Sequence, residues 1–203
     1  KVCINQAIPF YLKDHFYVLP VVLGILKAGY IPMPLTNSLQ LNKSVERVSD
    51  VPYDLLITDD TMGAKQVQNS EILILTDMEG ICQKVYSYNT KPRKHDICYI
   101  LCTSGTTGVP KKVFVREDNI VWILNTFYNL VNFTSNSRFL FSTPYTFDVS
   151  LTEIFAPIFT GGILICLEPD LLGFKKLNDI IFNTNISHLS ISPSFAELLV
   201  EID

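Results

Sequence analysis

An α/β fold of mostly parallel sheets flanked by helices is the architecture this sequence predicts, and two observations carry it. Short apolar runs alternate along the chain with stretches of helical period, the pattern of strand–helix–strand units. One of these runs, Ile97-Cys98-Tyr99-Ile100-Leu101, leads directly into a hydroxyl- and glycine-rich segment. Such a segment falls where ligands gather in open parallel sheets, beyond the carboxyl end of a strand.

Taken in order, strands are expected at 2–4, 30–33, 54–58, 72–75, 97–102, 113–115, 139–141, 163–166 and 188–191. Helices are expected at 16–27, 39–48, 118–131, 149–159, 171–182 and 194–200. The first helical stretch is the longest apolar run. It is broken by Pro20 and Gly24 and bounded by Lys13-Asp14-His15 and Lys27, so it is too short to span a bilayer and reads as a buried helix. The stretch 149–159 follows Asp148, a favoured N-cap residue, and repeats Leu151, Ile154, Phe155 and Ile158 at helical spacing. The polar stretch 85–96, with Pro92 and several charges, is the expected connection between two lobes.

Composition narrows the class. A chain of 203 residues, 48% hydrophobic and 18% charged, buries a large core and is apolar-rich for a soluble domain. Excess apolar surface follows if further structure normally covers it. A net charge of −4 excludes broad nucleic-acid binding, which needs a basic face. The five cysteines are odd in number and lack a Cys-x-x-Cys pair, and Cys3, Cys98, Cys102 and Cys166 lie in or beside apolar runs. Free cysteines of that kind suggest a reducing, cytoplasmic compartment. His15, His95 and His188 are too scattered for a metal site or a triad.

The chemistry concentrates in Cys102-Thr103-Ser104-Gly105-Thr106-Thr107-Gly108-Val109-Pro110-Lys111. Glycines let backbone N–H groups approach phosphate oxygens, hydroxyls donate further bonds, and the lysine adds a point charge. The plain alternative is a surface hairpin loop, because the same residues form turns. Four hydroxyls and a lysine exceed what a turn requires, so the segment is assigned to phosphate. It is not a Walker loop: the spacing is Gly105-x-x-Gly108-x-x-Lys111, with Pro110 before the lysine.

The string resembles the phosphate loop of the adenylate-forming (AMP-binding) superfamily. A second segment, Phe147-Asp148-Val149-Ser150-Leu151-Thr152-Glu153, resembles the Phe-Asp-x-Ser-x-x-Glu element of adenylation domains of non-ribosomal peptide synthetases. Leu26-Lys27-Ala28-Gly29 and Ser192-Pro193-Ser194 are similar to further elements of that family, the first with a following junction about two residues shorter than usual. Two departures stand out. Lys112 takes a place where the family usually has glycine, and Glu117 one where it often has histidine.

The resemblance implies ATP as cofactor, with Thr103, Ser104, Gly105, Thr106, Thr107, Gly108 and Lys111 on its β- and γ-phosphates. It further implies Asp148 as partner of a substrate α-amino group, with Val149, Thr152 and Ser190 beside the substrate side chain. A buried ammonium needs such a carboxylate to offset its desolvation, although Asp148 could equally be only a helix cap. The implied reaction is activation of an amino acid as aminoacyl-AMP, then thioester formation on a carrier phosphopantetheine. The family's adenine, ribose and magnesium segments and its catalytic lysine have no counterpart here. Residues 1–203 are therefore expected to be the N-terminal portion of an adenylation domain, part of its large N-terminal subdomain, with Mg2+ ligands and catalytic groups elsewhere and little activity alone. The implied partners are the small-molecule substrates, a carrier protein and the remainder of the domain, without nucleic acid or membrane. Two rival readings are a fatty-acyl or aryl-acid CoA ligase, which would not need Asp148, and a non-catalytic lobe or interaction module.

Overall fold

A computed structural model describes residues 7–36, 40–68, 70–75, 96–103, 111–167, 174–193 and 196–197. The chain divides into two compact units, one formed by residues 1–13 and 17–117 and the other by residues 14–16 and 118–203.

The first unit is built on a four-stranded parallel sheet in the order β2-β1-β3-β4, from β1 (Ala7–Tyr11), β2 (Ile31–Pro34), β3 (Leu55–Thr58) and β4 (Glu71–Ile74). All five residues of β1 are buried, as befits a central parallel strand covered on both faces. Sequence reasoning did not predict this strand, and Pro9 within it runs against the usual confinement of proline to sheet edges. The pairing of β1 with β3 begins only at Phe10, one residue beyond the proline. The expected strand at 2–4 lies outside the described residues.

Helix α1 (Val18–Lys27) joins β1 to β2 after a short 3-10 turn at His15–Tyr17. It ends in a Schellman close: Gly29 takes φ 84°, its N–H donates to the Leu26 carbonyl at 3.1 Å, and the Tyr30 N–H donates to Ile25 at 3.1 Å. That compact ending lets β2 start at Ile31, which accommodates the short junction. Two short helices, α2 (Leu41–Glu46) and α3 (Thr61–Ala64), complete this part. An antiparallel hairpin, β5 (Ile97–Thr103) with β6 (Lys111–Arg116), adds Ile97 and Ile100 to a core shared with Ala7, Ile31, Met33, Leu41 and Leu56. The mostly parallel expectation therefore holds, with this hairpin as the antiparallel element.

The second unit holds α4 (Glu117–Val131), β7 (Arg138–Phe141), α5 (Val149–Thr160), β8 (Ile163–Cys166) and α6 (Phe174–Asn183). Strands β7 and β8 pair in parallel from Arg138↔Ile163 to Phe141↔Cys166. The expected strand at 188–191 is reduced to one bridge, Phe139↔His188. Leu140, Leu167 and Leu177 form one of its buried clusters, with Ile165, Ile180 and Leu189 around them. Large apolar side chains also stay exposed, among them Trp122, Leu130 and Phe182. Of the stretch 85–96 only Asp96 is described. It pairs with Arg116 and accepts the Glu117 N–H at 2.8 Å.

Candidate active site

The phosphate-loop motif joins β5 to β6. Ser104, Gly105, Thr106, Thr107 and Gly108 lie outside the described residues, but both flanks are placed. Thr103 and Lys111 face each other as the last described pair of the ladder, and the Thr103 hydroxyl donates to the Lys111 carbonyl at 3.3 Å. Both are exposed. Side chains alternate along β6, so Lys111 and Lys112 project to opposite faces. Lys112 is taken up by Asp50 in an ion pair, its side chain 11% exposed. No carboxylate reaches Lys111 among the described residues. Cys102 is half-buried, and burial pushes its thiol pKa up, which disfavours a thiolate nucleophile beside the loop.

The second motif opens α5. Asp148 is the N-cap, with Oδ1 accepting the Val149 N–H at 2.9 Å. The Ser150 hydroxyl donates back to the Phe147 carbonyl at 2.6 Å, which ties the preceding loop to the helix. Asp148 and Val149 are both exposed.

Thr152 and Ser190 come together in a half-open recess of about 130 Å3, beside Glu153, His188, Phe127 and Phe139. Asp148 and Val149 do not line it; they stand one turn earlier on α5. Of the four residues assigned to the substrate side, the structure thus groups two in a recess and sets two at the exposed helix start. His188 is a wall residue: it stacks on Phe139 at 5.0 Å, meets Phe133 edge-on at 4.8 Å, and engages Ser187 Oγ and the Val131 carbonyl through its two ring nitrogens.

Glu153 closes the second motif, and sequence reasoning gave it no role in the site. It is 3% exposed, among the buried residues Ser150, Leu151, Ile154, Ala156 and Pro157 of the same helix. Oε2 accepts the Thr143 N–H at 3.0 Å, while Oε1 accepts the Thr143 hydroxyl at 2.9 Å and the Ser142 hydroxyl at 3.4 Å. Burial raises its pKa to about 7, outweighing those bonds, which favour the ionised form. The available signal was an acid within an apolar helical repeat. His15 is likewise buried, 5.0 Å from the Phe141 ring, and its Nε2 has no hydrogen-bond partner among the described residues. Burial holds its pKa below the ordinary value.

Among the described residues no three His, Cys, Asp or Glu side chains gather as a metal site, and no helix is long and apolar enough to cross a membrane.

Comparison with known proteins agrees with the family resemblance. The family model described as "AMP-binding enzyme" matches residues 6–203. Nonribosomal peptide synthetase sidE of Aspergillus fumigatus is 28% identical over 207 residues, covering 96% of this chain and 9% of that protein. Tyrocidine synthase 2 of Brevibacillus parabrevis is 29% identical over 182 residues, covering 88% of this chain and 5% of that protein. The chain thus spans under a tenth of these curated relatives. Among solved structures, the NpsA N-terminal subdomain of Klebsiella oxytoca in complex with 3-hydroxybenzoyl-AMSN superposes with a TM-score of 0.82 at 23% identity. That match covers 98% of this chain and 50% of the other, and it establishes the shared fold.

Proposed function

The chain belongs to the AMP-binding enzyme family, and from that premise we propose that it is part of the large N-terminal subdomain of an adenylation domain that activates an amino acid. In the reaction a substrate carboxylate oxygen attacks the α-phosphorus of ATP, the bond to the β-phosphate bridge breaks, and pyrophosphate leaves. A carrier phosphopantetheine thiolate then attacks the acyl carbon, forming a thioester and releasing AMP. The protein's work is to position these groups and neutralise phosphate charge.

In this reading Thr103 and Lys111 flank the pyrophosphate-binding loop, with Ser104, Gly105, Thr106, Thr107 and Gly108 between them. The observation that carries it is the Thr103–Lys111 ladder pair, which sets an exposed hydroxyl and an exposed ammonium at the mouth of a motif-bearing loop. Mg2+ would offset further phosphate charge, but no described residues form a site for it. Asp148 is read as the ammonium partner, and Thr152 and Ser190 as polar contacts to the side chain. A carrier protein, the rest of the domain and a cytoplasmic setting complete the proposal.

Asp148 serves as an exposed helix cap, a role that an acyl- or aryl-CoA ligase reading would leave it with, and one experiment separates the two. In the complete protein, kcat/KM is measured for an amino acid and its des-amino analogue, in wild type and in Asp148→Ala. A selective loss for the amino acid, of about 2–5 kcal/mol, supports amino-acid activation. Equal losses would reduce Asp148 to a cap and favour the ligase reading.

A further inference from the structure

Glu153 stands in the motif beside Asp148, yet the proposed reaction gives it no task. Its burial is costly: replacing a buried acid by an apolar side chain of similar volume is often neutral or stabilising. Its retention therefore calls for work by the carboxylate, and the hydrogen bonds show what it holds. Both oxygens are spent on Ser142 and Thr143, which directly follow β7.

Only four residues separate Thr143 from Asp148, and they form one closed turn. The Phe147 N–H donates to the Pro144 carbonyl at 2.9 Å, Tyr145 is fully buried, and Ser150 holds the Phe147 carbonyl through both its hydroxyl and its N–H. The loop is thus pinned at both ends to the same helix, by Ser150 next to Asp148 and by Glu153 one turn on. Glu153 also borders the recess with Thr152 and Ser190.

We infer that Glu153 is a positioning residue: its carboxylate clamps residues 142–143 to α5 and thereby fixes Asp148 relative to the recess that Thr152 and Ser190 line. The role in catalysis rests on the reading of Asp148 as the amino-group anchor, whereas the clamp itself does not.

The test uses the complete protein with Glu153→Ala, Glu153→Gln and Thr143→Val. Amide hydrogen exchange of residues 143 and 147–150 is expected to quicken by about tenfold or more in Glu153→Ala, because each buried charge-assisted bond lost is worth at least that factor. Exchange in β7 should hold steady. Glu153→Gln keeps an acceptor and should restore most of the protection, and Thr143→Val should show a smaller loosening even if Glu153→Ala folds poorly. Unchanged exchange in these variants overturns the clamp.

The second readout is selectivity. Glu153→Ala should raise KM for the amino acid by about tenfold more than for the des-amino analogue, with KM for ATP unaltered, and Glu153→Gln should rescue it. Loosened exchange with equal losses for both acids would leave Glu153 as a structural clamp and overturn its positioning role. A wild-type protein that activates no amino acid would defeat the proposed function instead, while the exchange data would still decide the clamp.

Discussion

Lys112 on β6 and Asp50, in the turn after α2, form an ion pair across 62 positions of sequence. The ammonium is nearly covered and the carboxylate is mostly exposed. The chain thus carries, where the resembled motif has glycine, a cation together with its own counter-charge. Lys112 is thereby occupied and does not compete with Lys111 for the loop.

The first expectation concerns that pair. A cycle of Lys112→Ala and Asp50→Asn, followed by urea unfolding, should give a coupling of about 0.5–1 kcal/mol, since one partner is solvated and screened. Raising salt should shrink it. The hydrogen bond from Lys112 holds the Asp50 carboxyl below its ordinary value of 3.8, so this contribution is present above that pH and is lost as pH falls through the folded value. A coupling of zero would make the pair incidental.

Lys111→Ala should separate binding chemistry from folding. Its side chain is exposed at the end of the ladder, so the unfolding midpoint should stay within about 0.5 kcal/mol of wild type. In the complete protein, pyrophosphate formation should fall by about 100-fold, the scale for losing one preorganised charge at developing phosphate charge. Unfolding with unchanged specific activity would make the loop structural.

Two of the buried titratable groups, His15 and Glu153, should tilt the pH–stability profile in opposite directions. His15 has a lowered folded pKa, so its contribution is present above its ordinary 6.5 and is lost as pH falls below it. Glu153 has a raised one, so its contribution is complete below 4.5 and is lost as pH rises through about 7. His15→Phe should therefore gain on wild type between pH 7 and pH 5. Glu153→Gln should gain on wild type between pH 5 and pH 8. Urea midpoints at those values decide the matter, and parallel profiles for all three proteins would show that neither group titrates differently on unfolding.

Two adjacent glycines close α5 for different reasons. At Gly162 a methyl group would stand 2.6 Å from the Ser137 carbonyl oxygen and 2.9 Å from the Phe139 ring, so Gly162→Ala should cost about 1–3 kcal/mol through displaced backbone. At Gly161 the same methyl has room, with its nearest contact at 3.9 Å, but φ is +72°. Gly161→Ala should therefore cost only about 1 kcal/mol. Calorimetric melting of both variants tests the order, and a reversed order would refute the steric account.

Much of this was legible in the sequence because period and composition agreed. The strands at Leu55–Thr58 and Ile163–Cys166 and the helices α4 and α5 were expected nearly in place. β1 was not, since a proline inside a central strand contradicts local preference and only the offset pairing with β3 accommodates it. Thr152 and Ser190 were placed together by resemblance. The partners of Glu153 were illegible, because an acid at helical spacing reads as a solvated face until β7 delivers Ser142 and Thr143 to it.

The β5–β6 ladder has one further consequence. Lys111 and Lys112 are chemically the same residue; only parity along the strand makes one the open cation and the other the shielded one. Sliding β6 by a single position against β5 would reverse their faces, turning Lys111 to the side of Asp50 and Lys112 to the opposite one. Length changes inside the strand are therefore the alterations this region tolerates least, whatever residues they bring.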